Sequence, residues 1–455
     1  MKTKKLSILV LFIFSLFFSV SCTFPTNNQQ EKVDKTYSFK GWEWNEHKAI
    51  AIFECNETKD ILEMDGEMEI QEVPATCERE GMITYIASIN FNDKSYTDFL
   101  VERIPAYSHD LKVEIIKEAT EESSGIRRVY CDRCSKEYSN ASYSSNSYLN
   151  HGKLRVEGRD LVDQNGNPFQ LYGISTHGLQ WFGRYVNTES IISLQDNFGL
   201  NVLRLACYSS EGGWAEGGKT VKDNYKKYID VAVKTAKAIG LYVIIDWHML
   251  GAENTNDANP LYYMDEAKEF FEYVASTYKD YDNILYEIMN EPNGSTTWVD
   301  CKNYANNIIP IIRKYTDAVV LVGNPHWTAD LNSVMNSPLT GFKNIMYTYH
   351  FYAATAPNTS QVVNAYDSGL PVFISEFGFM SYDGGGNLSY TNGEKWLKVL
   401  EDRNISYVAW SLANASSSSS MIKTNSVNIT DFSENNLKEW GIYLRNLYRG
   451  KALLD

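Results

Sequence analysis

Two glutamates stand where chemistry could be done. Glu291 lies in Ile288-Met289-Asn290-Glu291-Pro292 and Glu376 in Ile374-Ser375-Glu376-Phe377-Gly378, each directly behind a short apolar stretch. A pair of carboxylates a few ångströms apart can divide its labour, one kept protonated and the other ionised, because like charges at short range push one pKa upward. Other polar side chains share the placement. Arg204, His248, His350, Tyr352 and Trp410 each sit at or near the end of an apolar run, and Asn290 adjoins Glu291. Singly, a histidine or arginine in such a position is more often a structural hydrogen-bonder. Their joint placement is what points to one common site.

The apolar runs are the elements that must position these groups. From His151 onward, short continuously apolar segments alternate with longer amphipathic ones, the pattern of fully buried parallel strands alternating with helices. Eight such runs can be read, at 169–174, 201–205, 241–246, 284–288, 318–322, 345–350, 372–375 and 406–411. Helices are expected between them, among them 222–239, with Gly240 as its C-cap, and 265–279. This predicts an α/β fold, a TIM (β/α)8 barrel, in which active sites are built at the C-terminal ends of the strands. A turn at 163–168 before the first strand predicts a hairpin closing the barrel bottom.

The rest of the chain divides into smaller parts. Lys2, Lys4 and Lys5 precede an apolar run from Leu6 to Val20, so residues 1–21 read as a signal peptide of the lipoprotein type. Ser19-Val20-Ser21-Cys22 resembles a bacterial lipobox and makes Cys22 the expected lipidation site, with ordinary secretory cleavage as the alternative. Residues 22–36 are polar and without period, a flexible tether. Residues 37–134 alternate β-prone runs with Asn, Asp, Gly and Pro turns and predict a small all-β accessory domain. It loosely resembles a bacterial extracellular β module found beside surface enzymes. Trp42 and Trp44, two apart on a strand, face one way and are either a core plug or a ligand platform. Cys131 and Cys134 have zinc or redox spacing, with Cys55 and Cys77 as two further thiols; disulfides are the alternative in an exported chain. Residues 135–150, rich in Ser, Asn and Tyr, read as a linker, and 151–455 as the barrel domain.

Composition narrows the partners. A net charge of −15 over 455 residues argues against nucleic acid, which is bound through clustered Lys and Arg. Hydrophobic residues at 44% and charged residues at 22% exclude wholesale disorder and a polytopic membrane protein. Ten Trp and 31 Tyr give the chain many rings with a polar handle, suited to a neutral, stackable polymer.

The motifs of the barrel, taken in order, resemble glycoside hydrolase family 5. Ser175-Thr176-His177-Gly178-Leu179-Gln180-Trp181, Val202-Leu203-Arg204-Leu205, Ile245-Asp246-Trp247-His248, the two glutamate motifs and Tyr349-His350-Phe351-Tyr352 carry the resemblance, which spans His151 to Leu447. The segment around His177 and Trp181 is most similar to the bacterial endo-β-1,4-glucanase branch. The resemblance implies retaining hydrolysis, with Glu376 as nucleophile and Glu291 as acid/base. It gives Arg204 and Tyr352 the task of holding Glu376, Asn290 the sugar 2-hydroxyl, His248 the sugar and His350 Glu291. His177, Trp181 and Trp410, joined by Tyr208, would form a stacking floor. Relatives in that branch often carry a Lys five residues after the Trp of the eighth strand, where this chain has Ala415. The five serines from Ser416 read as a loop. The expected activity is on cellulose or related β-glucans, with β-mannan, xyloglucan or lichenan as alternative substrates and a non-catalytic sugar-binding surface protein as the rival from another class. No cofactor and no active-site metal are expected. The expected protein is a monomer, exported or held on the cell surface, meeting a membrane only through a lipid at Cys22.

Overall fold

The computed structural model describes residues 35–251 and 257–454. The expected leader, Cys22 and most of the expected tether lie outside them. Among the described residues no helix is long and apolar enough to cross a membrane. Two compact units are present: one holds the described residues up to Ala75 together with Glu80–Pro105, the other Thr76–Arg79 and the chain from Ala106 onward.

The first unit is all-β. Strands β1 (Tyr37–Asn45), β2 (Lys48–Cys55) and β3 (Ile61–Asp65) form one antiparallel sheet, and β4 (Glu67–Val73), β5 (Gly81–Phe91) and β6 (Lys94–Ile104) another. Asn92 and Asp93, both at positive φ, make the tight β5–β6 turn that a right-handed strand twist favours. Ala51, Phe53 and Ile89 centre a small core on which Phe39, Trp42 and Tyr96 pack. Trp42 is therefore a core plug, while the Trp44 indole donates to Asp98 at 3.0 Å.

The second unit begins with a sheet that sequence reasoning divided wrongly. Strands β7 (Leu111–Lys117) and β8 (Gly125–Cys131) pair with β9 (Glu137–Tyr143), which occupies the expected linker, and a short helix follows at Tyr148–His151. Ser139 and Tyr143 are buried on β9. A strand of hydroxyl-bearing residues meets its backbone needs through its neighbour, so the lack of an apolar run concealed it. The sheet belongs with the barrel. Arg127 on β8, 1% exposed, donates to Ile239 O at 2.6 Å, Gln195 Oε1 at 2.5 Å and Asp196 Oδ1 at 3.2 Å.

Strands β10 (Arg155–Glu157) and β11 (Asp160–Val162) form the hairpin beneath the barrel. Its turn is Gly158-Arg159, and the expected turn at 163–168 follows it: Val162 bridges Pro168 antiparallel, Phe169 N donates to Leu161 O at 2.8 Å, and Asp163 Oδ1 accepts from Asn165 N and Asn167 N. The barrel consists of β12 (Tyr172–Thr176), β13 (Val202–Tyr208), β14 (Tyr242–His248), β15 (Ile284–Glu287), β16 (Val320–Val322), β17 (Ile345–Tyr352), β18 (Val372–Gly378) and β19 (Tyr407–Leu412), all parallel and closed by β12 against β19. Val202, Ile244, Leu285, Leu321, Met346, Phe373 and Val408 pack its lower interior with Leu154 and Leu161 of the hairpin. That apolar plug leaves only the upper mouth for polar side chains.

Candidate active site

Arg204 is the centre of that mouth and is 0% exposed. Its Nε donates to Glu287 Oε2 at 2.7 Å, Nη1 to Glu376 Oε2 and Ser175 Oγ at 3.2 Å each, and Nη2 to Asn290 Oδ1 at 2.8 Å. Asp246 Oδ2 lies 3.0 Å from Nη2. A buried guanidinium is tolerable only when so paired. Burial opposes its charge, but Asp246, Glu287 and Glu376 outweigh that and raise its pKa, so it stays cationic. Against the cost of burial, Arg204 and His350 hold the Glu287 carboxyl down at about 2. Burial, aided by Glu287 and Glu376, pushes Asp246 well above the carboxylate range.

The two glutamates of the motifs face each other over this base. An oxygen of Glu291, an oxygen of Glu376 and a ring nitrogen of His350 all lie within 4.8 Å of one another. Tyr352 OH donates to Glu376 Oε1 at 2.7 Å. Burial raises the Glu376 pKa, assisted by Glu291, while His350, Arg204 and Tyr352 pull the other way. Gly378, the β18 partner of Tyr352, keeps that phenol in place: a Cβ there would lie 3.0 Å from its ring and 2.3 Å from Met380 Sδ.

His350 Nδ1 meets Glu291 Oε1 at 2.8 Å, and His350 Nε2 meets Ser375 Oγ at 2.9 Å. Ser375 in turn donates to Glu287 Oε1 at 2.7 Å. Burial works to lower the His350 pKa, yet Glu287 and Glu291 bring it up to about 10. His248 is the opposite case: burial and Arg204 drive its pKa well below 6.5. Neutral, it donates from Nδ1 to Asp246 Oδ2 at 2.7 Å and accepts at Nε2 from Asn290 Nδ2 at 3.3 Å. Both nitrogens thus meet protein groups, Nε2 through the long Asn290 contact.

An aromatic wall flanks the glutamates. His248 stacks between Tyr208, at 4.2 Å, and Trp410, at 5.2 Å. The His177 ring lies 5.0 Å from Trp410, 5.7 Å from Trp181 and 6.0 Å from Tyr208. Burial lowers the His177 pKa to about 4; Nδ1 accepts from Gly178 N at 2.7 Å, which leaves Nε2–H as a donor. Trp181 is 44% exposed, whereas Tyr208 and Trp410 are buried. Near Ala415, Lys438 Nζ donates to the carbonyls of Ala415 and Ser417 at 2.6 and 2.9 Å.

The family model described as Cellulase (glycosyl hydrolase family 5) matches residues 162–416. The chain belongs to glycosyl hydrolase family 5. As a member it is a retaining glycoside hydrolase, and an approach of its two glutamates within 4.8 Å leaves no room for the separation of about 6.5–9.5 Å that inversion requires. This family 5 hydrolase is 45% identical over 298 residues to Endoglucanase A of Butyrivibrio fibrisolvens, covering 65% of this chain and 68% of the relative. It is 37% identical over 303 residues to an endoglucanase of Clostridium saccharobutylicum, with 66% and 65% covered. Among solved structures, the catalytic domain of Thermobifida fusca endoglucanase Cel5A aligns with a TM-score of 0.60 at 32% identity over 66% of this chain and 99% of that one.

Three residues of the mouth, Asp246, Glu287 and Ser375, had no expected role. Each sits inside an apolar strand run, and a carboxylate there was itself a signal, since a buried charge demands a partner. Trp327 is a fourth. It is 57% exposed, and its N–H donates to the carbonyl of Pro292, next to Glu291, at 3.0 Å. His326, Trp327 and Thr328 all have positive φ, near 57°, a strained backbone of the kind that collects at functional sites. Nothing in the local sequence Asn324-Pro325-His326-Trp327 shows that conformation.

Proposed function

We propose that this family 5 hydrolase cuts internal β-1,4 bonds of cellulose or a related β-glucan, with Glu376 as nucleophile and Glu291 as acid and then base. The observation that carries the assignment is the unequal bonding of two carboxylates whose oxygens approach within 4.8 Å. Glu376 is clasped by the Arg204 cation and the Tyr352 hydroxyl, both of which favour its anion and aim it. Glu291 is bonded at one oxygen by His350 and is the more exposed of the two, with 15% of its side chain accessible against 6%. It is therefore the group placed to pass a proton to the leaving oxygen. Forming the glycosyl ester removes the charge on Glu376, after which Glu291 takes a proton from the attacking water. Asn290, its Oδ1 fixed by Arg204, retains only long contacts at Nδ2, 3.3 and 3.4 Å, which a sugar 2-hydroxyl could replace. Trp181, His177 and Trp410 would stack the sugars on one side of the cut and Trp327 on the side of Glu291.

The endoglucanase reading is supported by the names of the curated relatives and by the Cel5A variant of Thermobifida fusca solved with cellotetraose. The charged and then apolar N-terminus ending at Ser19-Val20-Ser21-Cys22 supports export with a lipid at Cys22. The test is product release and viscosity loss with carboxymethylcellulose, glucomannan and xyloglucan. The wild type is expected to thin carboxymethylcellulose quickly, and Glu291→Ala and Glu376→Ala each to lose at least about a thousandfold in kcat, of the order seen when a group acting in acyl or glycosyl transfer is removed. Cleavage of mannan or xyloglucan alone would overturn the substrate, and full activity in either variant its assigned role.

A further inference from the structure

A second cluster of ligand-type side chains lies in the barrel's unit but on none of its barrel strands. Cys77 comes from the Thr76–Arg79 segment, His109 precedes β7, Cys131 ends β8 and Cys134 lies in the turn to β9. One ligand atom from each, three Sγ and one ring nitrogen, all fall within 4.8 Å of one another. Cys77 Sγ and Cys131 Sγ are 3.9 Å apart, and Cys134 Sγ and His109 Nδ1 3.6 Å. Zinc bonds of about 2.3 Å to sulfur and about 2.0–2.1 Å to nitrogen, set tetrahedrally, require edges of about 3.8 Å between sulfurs and about 3.6 Å between sulfur and nitrogen. Two opposite edges of that tetrahedron are thus already formed.

The surroundings match the same chemistry. His109 Nε2 lies 3.3 Å from Glu78 Oε1, which also accepts from Lys136 Nζ at 3.3 Å. A carboxylate on Nε2–H fixes the tautomer and turns the lone pair of Nδ1 toward the thiols, as at zinc-bound histidines generally. Backbone bonds hold the segments in register: Tyr107 N to Thr76 O at 2.9 Å, Asp132 N to Asp110 O at 2.8 Å, and Ser135 N to Cys131 O at 2.8 Å around the Cys131–Cys134 turn. Cys131 is fully buried and Cys77 nearly so. A disulfide accounts for the cluster less well, because it would use two of three thiols, need sulfurs at about 2.05 Å and give His109 no part. Cys55, expected as a fourth ligand, is instead on β2 with its Sγ 3.3 Å from Glu57.

We propose that Cys77, His109, Cys131 and Cys134 bind a structural zinc ion that fastens the Thr76–Arg79 segment and the approach to β7 onto the β8–β9 turn. Four protein ligands leave no open position, so the site holds structure and does no hydrolysis. The thiols release their protons to solvent as the metal binds, and nothing is oxidised.

Elemental analysis of the full chain, purified under reducing conditions without chelator, should find stoichiometric zinc. Replacement by cobalt should give tetrahedral ligand-field bands with thiolate charge transfer. The variant Cys131→Ser/Cys134→Ser should lose metal and bands while Glu291→Gln/Glu376→Gln keeps both, which separates this cluster from the carboxylates of the mouth. Should the double serine variant fail to fold, the wild type decides alone: Cys134 should resist alkylation until a chelator strips the zinc. Metal-free protein, a native disulfide among these cysteines, or zinc retained by the double serine variant would each overturn the proposal.

Discussion

Tyr352 shows how one bond sets a working pH. Its hydroxyl donates to Glu376 Oε1 at 2.7 Å and lowers a pKa that burial raises above 4.5. As the proposed nucleophile Glu376 acts as an anion, so kcat/KM should fall as pH drops through its raised pKa. In Tyr352→Phe the pKa rises further and this acid limb moves to higher pH. A hydrogen bond to a charged group contributes about 1.5–3 kcal/mol, which corresponds to a shift of roughly one to two pH units. A pH profile of kcat/KM on a soluble oligosaccharide checks this; a variant slower at all pH with an unmoved limb would show a packing role only. The groups proposed to act on the sugar could be named from sequence because they sit at strand ends in ordered motifs. The supports could not be placed so readily. His248 was expected at the sugar, yet its bonds run to Asp246 and Asn290, and Glu287 and Ser375 have meaning only once the closed barrel brings β15 beside Arg204 and His350.

At the scale of elements, the apolar runs located all eight barrel strands but mostly ended them too soon. Strands β13, β17 and β18 continue to Tyr208, Tyr352 and Gly378, beyond the expected ends at 205, 350 and 375. The reason is physical: the strand persists into the mouth, where its side chains turn polar because they serve the site. Strand β9 was missed for a related reason, since its residues carry hydroxyls and its order comes from β8 rather than from an apolar face of its own. Arg127 on β8 shows that this sheet bears on the barrel. Replacing it by Met leaves Asp196 without its cation and the Ile239 carbonyl without a donor. Loss of one partner of a buried pair costs about 3 kcal/mol or more. Urea unfolding should show that loss for Arg127→Met, with kcat unchanged because Arg127 touches no group of the mouth.

At the scale of the molecule, the same contact decides where the chain can be divided. The accessory domain expected at 37–134 would place β7 and β8 with β1–β6, whereas the compact units put them with the barrel. Every group of the mouth, from Ser175 to Trp410, lies in the second unit, and the family match runs from 162 to 416. A chain that starts at Ala106 keeps β7–β9 and the bonds of Arg127 but loses Cys77 of the proposed zinc site, and because every group of the mouth remains it should retain the kcat/KM of the whole protein on soluble oligosaccharides at low temperature. A chain that starts at Ser144 keeps every residue of the mouth but strips that sheet, uncovering Ile239, Gln195 and Asp196 on helices that support β13 and β14. It should melt several degrees lower, as about 2–3 kcal/mol implies for a domain of this size, and lose activity first on warming. Equal melting of the two chains would show that β7–β9 add nothing to the barrel's stability and would favour the expected division, with the barrel domain starting after the linker at 135–150.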